Sequence, residues 1–234
     1  MNKKVLELYR PNNVTINDAF DRLVVNILHE RKTKESKSFV FTGCEPLVGT
    51  TTISINVAIS LAMTGAKTIL IDGDLRKESR YKRLSEDEAG FTDILMADCE
   101  PAEAICPTNF PTLYYLACGN SVDAPVGLLG SFNFDMFLQY LCENYDFVIF
   151  DLPSVNAVID SAILASKVDS VVLIAKQNVT TQTQLKNARN ELDKVDAKVA
   201  GIIMNAVDKA EYKNYKKDYD YFKNKKFSKK KNKI

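Results

Sequence analysis

The chain has one histidine, His29, so neither a Ser–His–Asp triad nor a Cys–His pair is available to it. An ordinary helix position is expected for that residue. The five cysteines (44, 99, 106, 118 and 142) are odd in number and include no C-x-x-C pair. That argues against a disulfide framework and for reduced, cytosolic, structural thiols. No apolar run reaches the roughly 18 residues of a membrane-spanning helix. The opening MNKKVLELYR lacks the apolar core of a signal peptide. A soluble, cytoplasmic chain is therefore expected.

What is present is enough apolar residue, 46% of 234, for one large α/β domain. The net charge of +1 hides an asymmetry. From Lys209 to Ile234 there are eleven lysines against Glu211, Asp218 and Asp220, a tail charge of +8. The remaining residues carry −7. An acidic body with a basic interaction arm is implied. After Asp208 no apolar periodicity remains to offset the entropy of ordering, so a disordered tail is expected.

Residues 1–15 look irregular, with Pro11-Asn12-Asn13 as a breaker. A helix capped by Asn17 or Asp18 is predicted to run to about Glu30. Continuous apolar strands are predicted at Phe39–Phe41, Lys67–Asp72, Thr112–Ala117, Tyr145–Phe150, Asp169–Lys176 and Lys198–Met204. Helices are predicted between them: Thr51–Thr64, Gly90–Ala97, Pro125–Cys142 with a break near Gly130–Asn133, Asn156–Lys167, and one capped by Thr180 or Thr181. This alternation indicates an α/β fold with a mostly parallel sheet and helices on both faces. The division expected is 1–37, an N-terminal segment and helix; 38–208, the α/β domain; and 209–234, the Lys- and Tyr-rich tail.

Strand, loop and helix from Ser38 to Ala58 form the context of a P-loop, G-x-x-x-x-G-K-[ST], in which backbone N–H groups cradle phosphates. Aligned on Gly49, the loop has Thr51 at the hydroxyl position and a further Thr52, but Thr50 stands where the lysine belongs. Cys44 takes the first glycine's slot, with Gly43 one residue early. Asp72, Asp74 and Asp151 fall at or just past strand ends, where an open parallel sheet binds its ligands. These acids with the Thr51 hydroxyl suit Mg²⁺–nucleotide, although acids at strand ends are also common as turn residues.

At this point the chain resembles the bacterial tyrosine kinases, or BY-kinases, of capsule and exopolysaccharide systems, which are P-loop proteins related to the MinD/ParA ATPases. The resemblance covers about residues 18 to 208. It rests on Ile69-Leu70-Ile71-Asp72-Gly73-Asp74-Leu75-Arg76 for the family's D-x-D-x-R motif and on Tyr145 to Pro153 for its Walker B strand. It rests also on Gly90-Phe91-Thr92-Asp93-Ile94-Leu95, on Leu116 to Leu129, and on Asn56 and Asn205. The resemblance implies Mg²⁺ and ATP as cofactors, with Asp72, Asp151 and Thr51 around the metal. Gly49, Thr50, Thr51, Thr52 and Asn205 would face the nucleotide, and Asp74 would be the base for an incoming tyrosine. The acceptors implied are Tyr212, Tyr215, Tyr219 and Tyr221. It implies a membrane activator protein of polysaccharide co-polymerase type as partner, so that the chain sits at the inner face of the membrane through that partner. Self-association is a further implied contact, and the basic tail suits an anionic membrane surface. Nucleic acid is not an expected partner.

Two departures from the family stand out. Thr50 replaces the lysine and Leu47 a usual glycine, so the loop loses a charged hydrogen bond worth about 1.5–3 kcal/mol. If residue 47 needs positive φ, a leucine there adds about 1–2 kcal/mol of strain. The ring-assembly motif E-x-x-R-x-x-R reads Asp18-x-x-Asp21-x-x-Val24, with Arg22 offset by one residue. A regulatory pseudokinase with weak or absent ATP binding is the expectation. The alternatives are an active tyrosine autokinase and a MinD/ParA-type ATPase, whose extra loop lysine has no counterpart in Gly43-Cys44-Glu45.

Overall fold

The apolar strands pack as a sheet because each finds a helical layer on both faces. In the computed structural model, which describes residues 5–76, 89–208 and 211–212, the sheet has seven strands. They are β1 (Ser38–Gly43), β2 (Thr68–Asp72), β3 (Cys106–Pro107), β4 (Leu113–Leu116), β5 (Phe147–Asp151), β6 (Ser170–Lys176) and β7 (Val199–Asn205). Their order is β3-β4-β2-β5-β1-β6-β7, parallel throughout except for β3 against β4. The helices are α1 (Val14–Lys34), α2 (Thr50–Met63), α3 (Phe91–Leu95), α4 (Pro101–Ala104), α5 (Pro125–Leu129), α6 (Phe132–Asn144), α7 (Asp160–Ala165) and α8 (Gln182–Asp193).

Side chains alternate across each strand, which divides the interior in two. Phe39, Phe41, Leu70, Tyr115 and Ile149 pack with Val24 and Ile27 of α1 and Ile53, Val57 and Leu61 of α2. Val40, Ile69, Ile71, Val148 and Phe150 pack with Phe91, Phe134, Phe137 and Leu141 on the other face. Burial of each such side chain contributes about 1.5–3 kcal/mol. No described helix is long and apolar enough to cross a membrane.

Several boundaries depart from expectation for local reasons. Asn13, not Asn17 or Asp18, caps α1, its Oδ1 accepting from the N–H groups of Thr15 and Ile16. The segment before it is docked: Leu6 bonds to Pro107 and Asn109, and Leu8 is buried. The break in the 125–142 helix is real, with Ser131 capping α6. Helix α7 starts only at Asp160, because residues 154–158 turn back toward β1. The short α4 and the antiparallel β3 have no periodic signal. Val24, where the ring motif has its second arginine, is 4% exposed and faces the core. Asp18 pairs with Arg22, and Asp21 with Arg10. The polar connection at 78–88 and the tail beyond Tyr212 lie outside the described residues.

The start of β1 is fastened to β6 by Asp169. Its Oδ2 accepts from the N–H of Lys37 at 2.9 Å and from the N–H and hydroxyl of Ser38 at 2.8 and 2.7 Å. Burial alone would raise this carboxyl's pKa, but the donors of Ser38 and Lys37 outweigh it and hold the group below the usual range. A depressed folded pKa contributes stability that is present above the unfolded value, about 3.9, and is lost as pH falls through the folded value. Asp169→Ala is expected to lower unfolding free energy by about 1–3 kcal/mol at neutral pH. In denaturant titrations against pH the gap from wild type should narrow below pH 4; a gap constant down to pH 2 would show that the carboxylate charge is not what matters.

Candidate phosphate-loop site

Strand β1 lies between β5 and β6, where the strand order reverses, so the loop that follows it opens into the crevice at the switch point. The loop leaves β1 at Gly43, whose carbonyl accepts from Val155 N–H at 3.1 Å. The Cys44 N–H donates to Ile174 at 2.9 Å. Burial, reinforced by the charge of Glu45, pushes the Cys44 thiol up to about 11, so a neutral thiol stands in the first-glycine slot. Leu47 forms the exposed apex at φ +63°, and Val48 turns inward at 1% exposure. Gly49, at φ +93°, then opens α2. The amides of Thr50, Thr51 and Thr52 meet no acceptor among the described residues. Such first-turn N–H groups, with the helix dipole behind them, form the anion-binding element of a P-loop.

Four side chains from elsewhere brace this loop. Asn156 Nδ2 donates to the Cys44 carbonyl at 2.6 Å and to the Gln184 carbonyl at 3.0 Å. Asn205, at the end of β7, donates from Nδ2 to the Val48 carbonyl at 2.7 Å while its Oδ1 accepts from the Ala206 N–H. Asn205, expected to face the nucleotide, is placed here as a brace. A Cβ on Gly49 would lie 2.3 Å from Asn205 Nδ2, so the brace requires a glycine there. Glu45 accepts from Thr180 Oγ1 at 2.8 Å and from Gln184 Nε2 at 2.5 Å. Gln184 is the third residue of α8 and its Oε1 also serves the cap at Thr181. That capping box, T-x-x-Q, is legible in sequence. The second bond to Glu45 is tertiary and is not.

Asp72 and Asp151 are in register on β2 and β5, both nearly buried at 3 and 7%. Neighbouring strands put such residues about 5 Å apart. Asp74 stands one turn on, its N–H directed at Asp72 Oδ1 at 3.4 Å and its own Oδ1 accepting from the Arg76 N–H at 3.3 Å. The three acids do not close into one cage: among the described residues no group of three or more His, Cys, Asp or Glu is placed to hold a metal ion. Mg²⁺ is held by one or two carboxylates together with substrate phosphates, so Asp72 and Asp151, paired in register on neighbouring strands, fit that ion without a third acid. Arg76 binds Asp160 bidentately, at 2.6 and 3.0 Å, anchoring the Asp72–Arg76 turn to α7. Nothing in the sequence marked Asp160, 3% exposed, as the partner of that arginine. Asn56 bonds back to the Thr52 carbonyl at 2.7 Å. Of the tyrosines, Tyr212 has its N–H on the Asp208 carbonyl, and Tyr215, Tyr219 and Tyr221 lie outside the described residues.

Residues 46–200 match the family model described as AAA domain. The chain is 31% identical over 169 residues to "Tyrosine-protein kinase CpsD" of Streptococcus pneumoniae serotype 4, covering 71% of this chain and 74% of that one. Among solved structures it resembles the chimerical protein CapA2B2, with a TM-score of 0.77, 25% identity, and 88 and 96% of the two chains covered. The septum site-determining protein MinD of Pyrococcus horikoshii, solved with Mg-ADP, shares the fold at a TM-score of 0.58 and 20% identity over 72 and 69% of the chains.

Leu47 is 93% exposed and at positive φ, so it contributes strain without burial. Leu47→Gly should therefore stabilise the fold by up to about 1 kcal/mol, the relieved strain partly offset by glycine's entropy. Chemical denaturation measures this, and a destabilised variant would show that the loop does not hold residue 47 at positive φ in solution.

Proposed function

The chain belongs to the bacterial tyrosine-protein kinase family of capsule and exopolysaccharide biosynthesis, and from that premise we propose that it is a regulatory member with impaired ATP binding. The observation that carries this is the loop Gly43–Thr52, whose only charged side chain is Glu45. Mg²⁺ would be held by Asp72, Asp151 and the Thr51 hydroxyl, and when bound with ATP it would neutralise charge on the transferring phosphates. Asp74 would take the proton of an incoming tyrosine hydroxyl, with Arg76–Asp160 fixing its turn. The amides of residues 50–52 would receive phosphate oxygens. No loop cation complements them, and loss of one positioned electrostatic donor commonly costs about 10²–10³ in rate. The second reading, an active tyrosine autokinase acting on Tyr212, Tyr215, Tyr219 and Tyr221, is favoured by the retained carboxylates. The MinD/ParA-type ATPase reading has only fold-level likeness behind it.

The same reading makes a membrane activator protein the partner and places the chain peripherally at the inner face of the membrane. It is supported by the lack of a membrane-crossing helix among the described residues and by a solved relative that is itself a chimera. Affinity capture from membranes should recover an integral membrane protein, and recovery of soluble proteins alone would count against this.

Repair of the loop tests the reading of the site. Thr50→Lys alone restores charge but leaves Leu47 strained, so it should give little. Leu47→Gly with Thr50→Lys should exceed the sum of the two singles, with a coupling of about 0.5–3 kcal/mol in Mg–ATP affinity. Phosphotyrosine should then appear on the tail and vanish when Asp74→Asn is added. A double mutant that binds no better than wild type places the defect outside the loop. Tail phosphorylation by the unmodified chain overturns the pseudokinase reading in favour of the autokinase.

A further inference from the structure

We infer that β7 is a self-association surface, on which a second copy of this chain adds its own β7 antiparallel; the inference does not depend on the reading of the phosphate loop. β7 ends the sheet, and its outer side is unpaired among the described residues. The Asn205 carbonyl accepts from the Gln177 N–H at 3.0 Å, so Asn205 turns its backbone groups toward β6. These groups alternate in direction along a strand, so Gly201 and Ile203 turn the same way. Ile202 and Met204 therefore direct their N–H and C=O groups outward, away from β6.

Sheets ordinarily guard such an edge with lysine, proline or a very short strand. β7 runs for seven residues, and none of Val199–Asn205 is charged or a proline. Ile202 and Met204 are in register with Leu173 and Ala175, which pack with Ala188 and Leu192 of α8. They share that face, yet they are 52 and 51% exposed. On the opposite face a groove of about 260 Å³ runs between β7 and Leu23, Asn26 and His29 of α1.

The strand is complementary to itself, which favours a second copy over another extended chain. A two-fold axis through Ile203, perpendicular to the sheet, sets Ile202 of each copy opposite Met204 of the other. Both residues of each pair carry outward-facing backbone groups, so each pair exchanges both of its hydrogen bonds, and the two exposed apolar side chains meet on one face. Gly201, without a side chain, then faces Asn205 and leaves room for the carboxamide that braces the loop. The register shift against β6 lies at the other end, between Val171 and Val172, so 201–205 is a regular segment. The first charges flanking the strand are Lys198 and Asp208, of opposite sign. Antiparallel pairing carries each toward its opposite on the other copy, whereas parallel pairing would bring like to like.

Sedimentation equilibrium of the full chain, from micromolar to near-millimolar concentration, tests this, and a monomer–dimer equilibrium is expected. Ile202→Lys and Met204→Glu, both at exposed positions, should each weaken the dimer about tenfold or more. The double variant sets lysine opposite glutamate at both pairs and should regain most of that loss, the regain shrinking in high salt. Such rescue separates pairing from misfolding, since a second charged substitution would not restore a misfolded chain. A wild type that stays monomeric throughout would overturn the inference and leave the edge to the chain's own tail or to another protein. A dimer indifferent to both single variants, or a double variant weaker than either single, would equally overturn it.

Discussion

The loop after β1 keeps its shape because two carboxamides hold its carbonyls: Asn156 on Cys44 and Asn205 on Val48. A buried carbonyl left without a donor costs about 1–3 kcal/mol, so the loop is forced into the geometry that both bonds allow. Between the two held points the chain must turn within Glu45, Pro46 and Leu47, and it does so with Leu47 at φ +63°. The strain at Leu47 is a consequence of the braces. The same braces leave the amides of Thr50–Thr52 grouped at the start of α2. Under the proposed reading, the scaffold of a phosphate site is thereby maintained independently of the charge that such a site ordinarily carries.

Much of this was legible in the sequence. Continuous apolar strands ending in acids located β2 and β5, and because parallel strands end together, Asp72 and Asp151 were expected beside one another. The likeness of the loop to a glycine-bearing one raised positive φ at residue 47 only as a condition, and the structure meets it. What escaped was tertiary. The Pro11-Asn12-Asn13 run reads as a breaker, and a breaker that ends in Asn is also a cap. Asn156 was assigned to a helix by composition, whereas its side chain is needed on the Cys44 carbonyl and the helix begins only at Asp160. The Arg76–Asp160 pair joins residues 84 apart, and no local pattern announces such a bond.

Family membership and loop chemistry pull in different directions, and the two concern different levels of structure. The fold, the paired carboxylates and the D-x-D-x-R turn are intact, held by buried apolar contacts and by bonds to α7 that do not depend on Thr50. The departures that stand out are at Cys44, Leu47 and Thr50 in one loop and on the α1 face at residues 18–24. On that face Val24 is committed to the core.

The central claim is that the scaffold persists while phosphate affinity is lost. Calorimetry of the full, unmodified chain with Mg–ATP tests it most directly. The account predicts a dissociation constant near 1 mM or weaker, about −4 kcal/mol. A constant of about 1 μM or tighter, about −8 kcal/mol, would contradict it, because the loop would then supply phosphate affinity without its lysine.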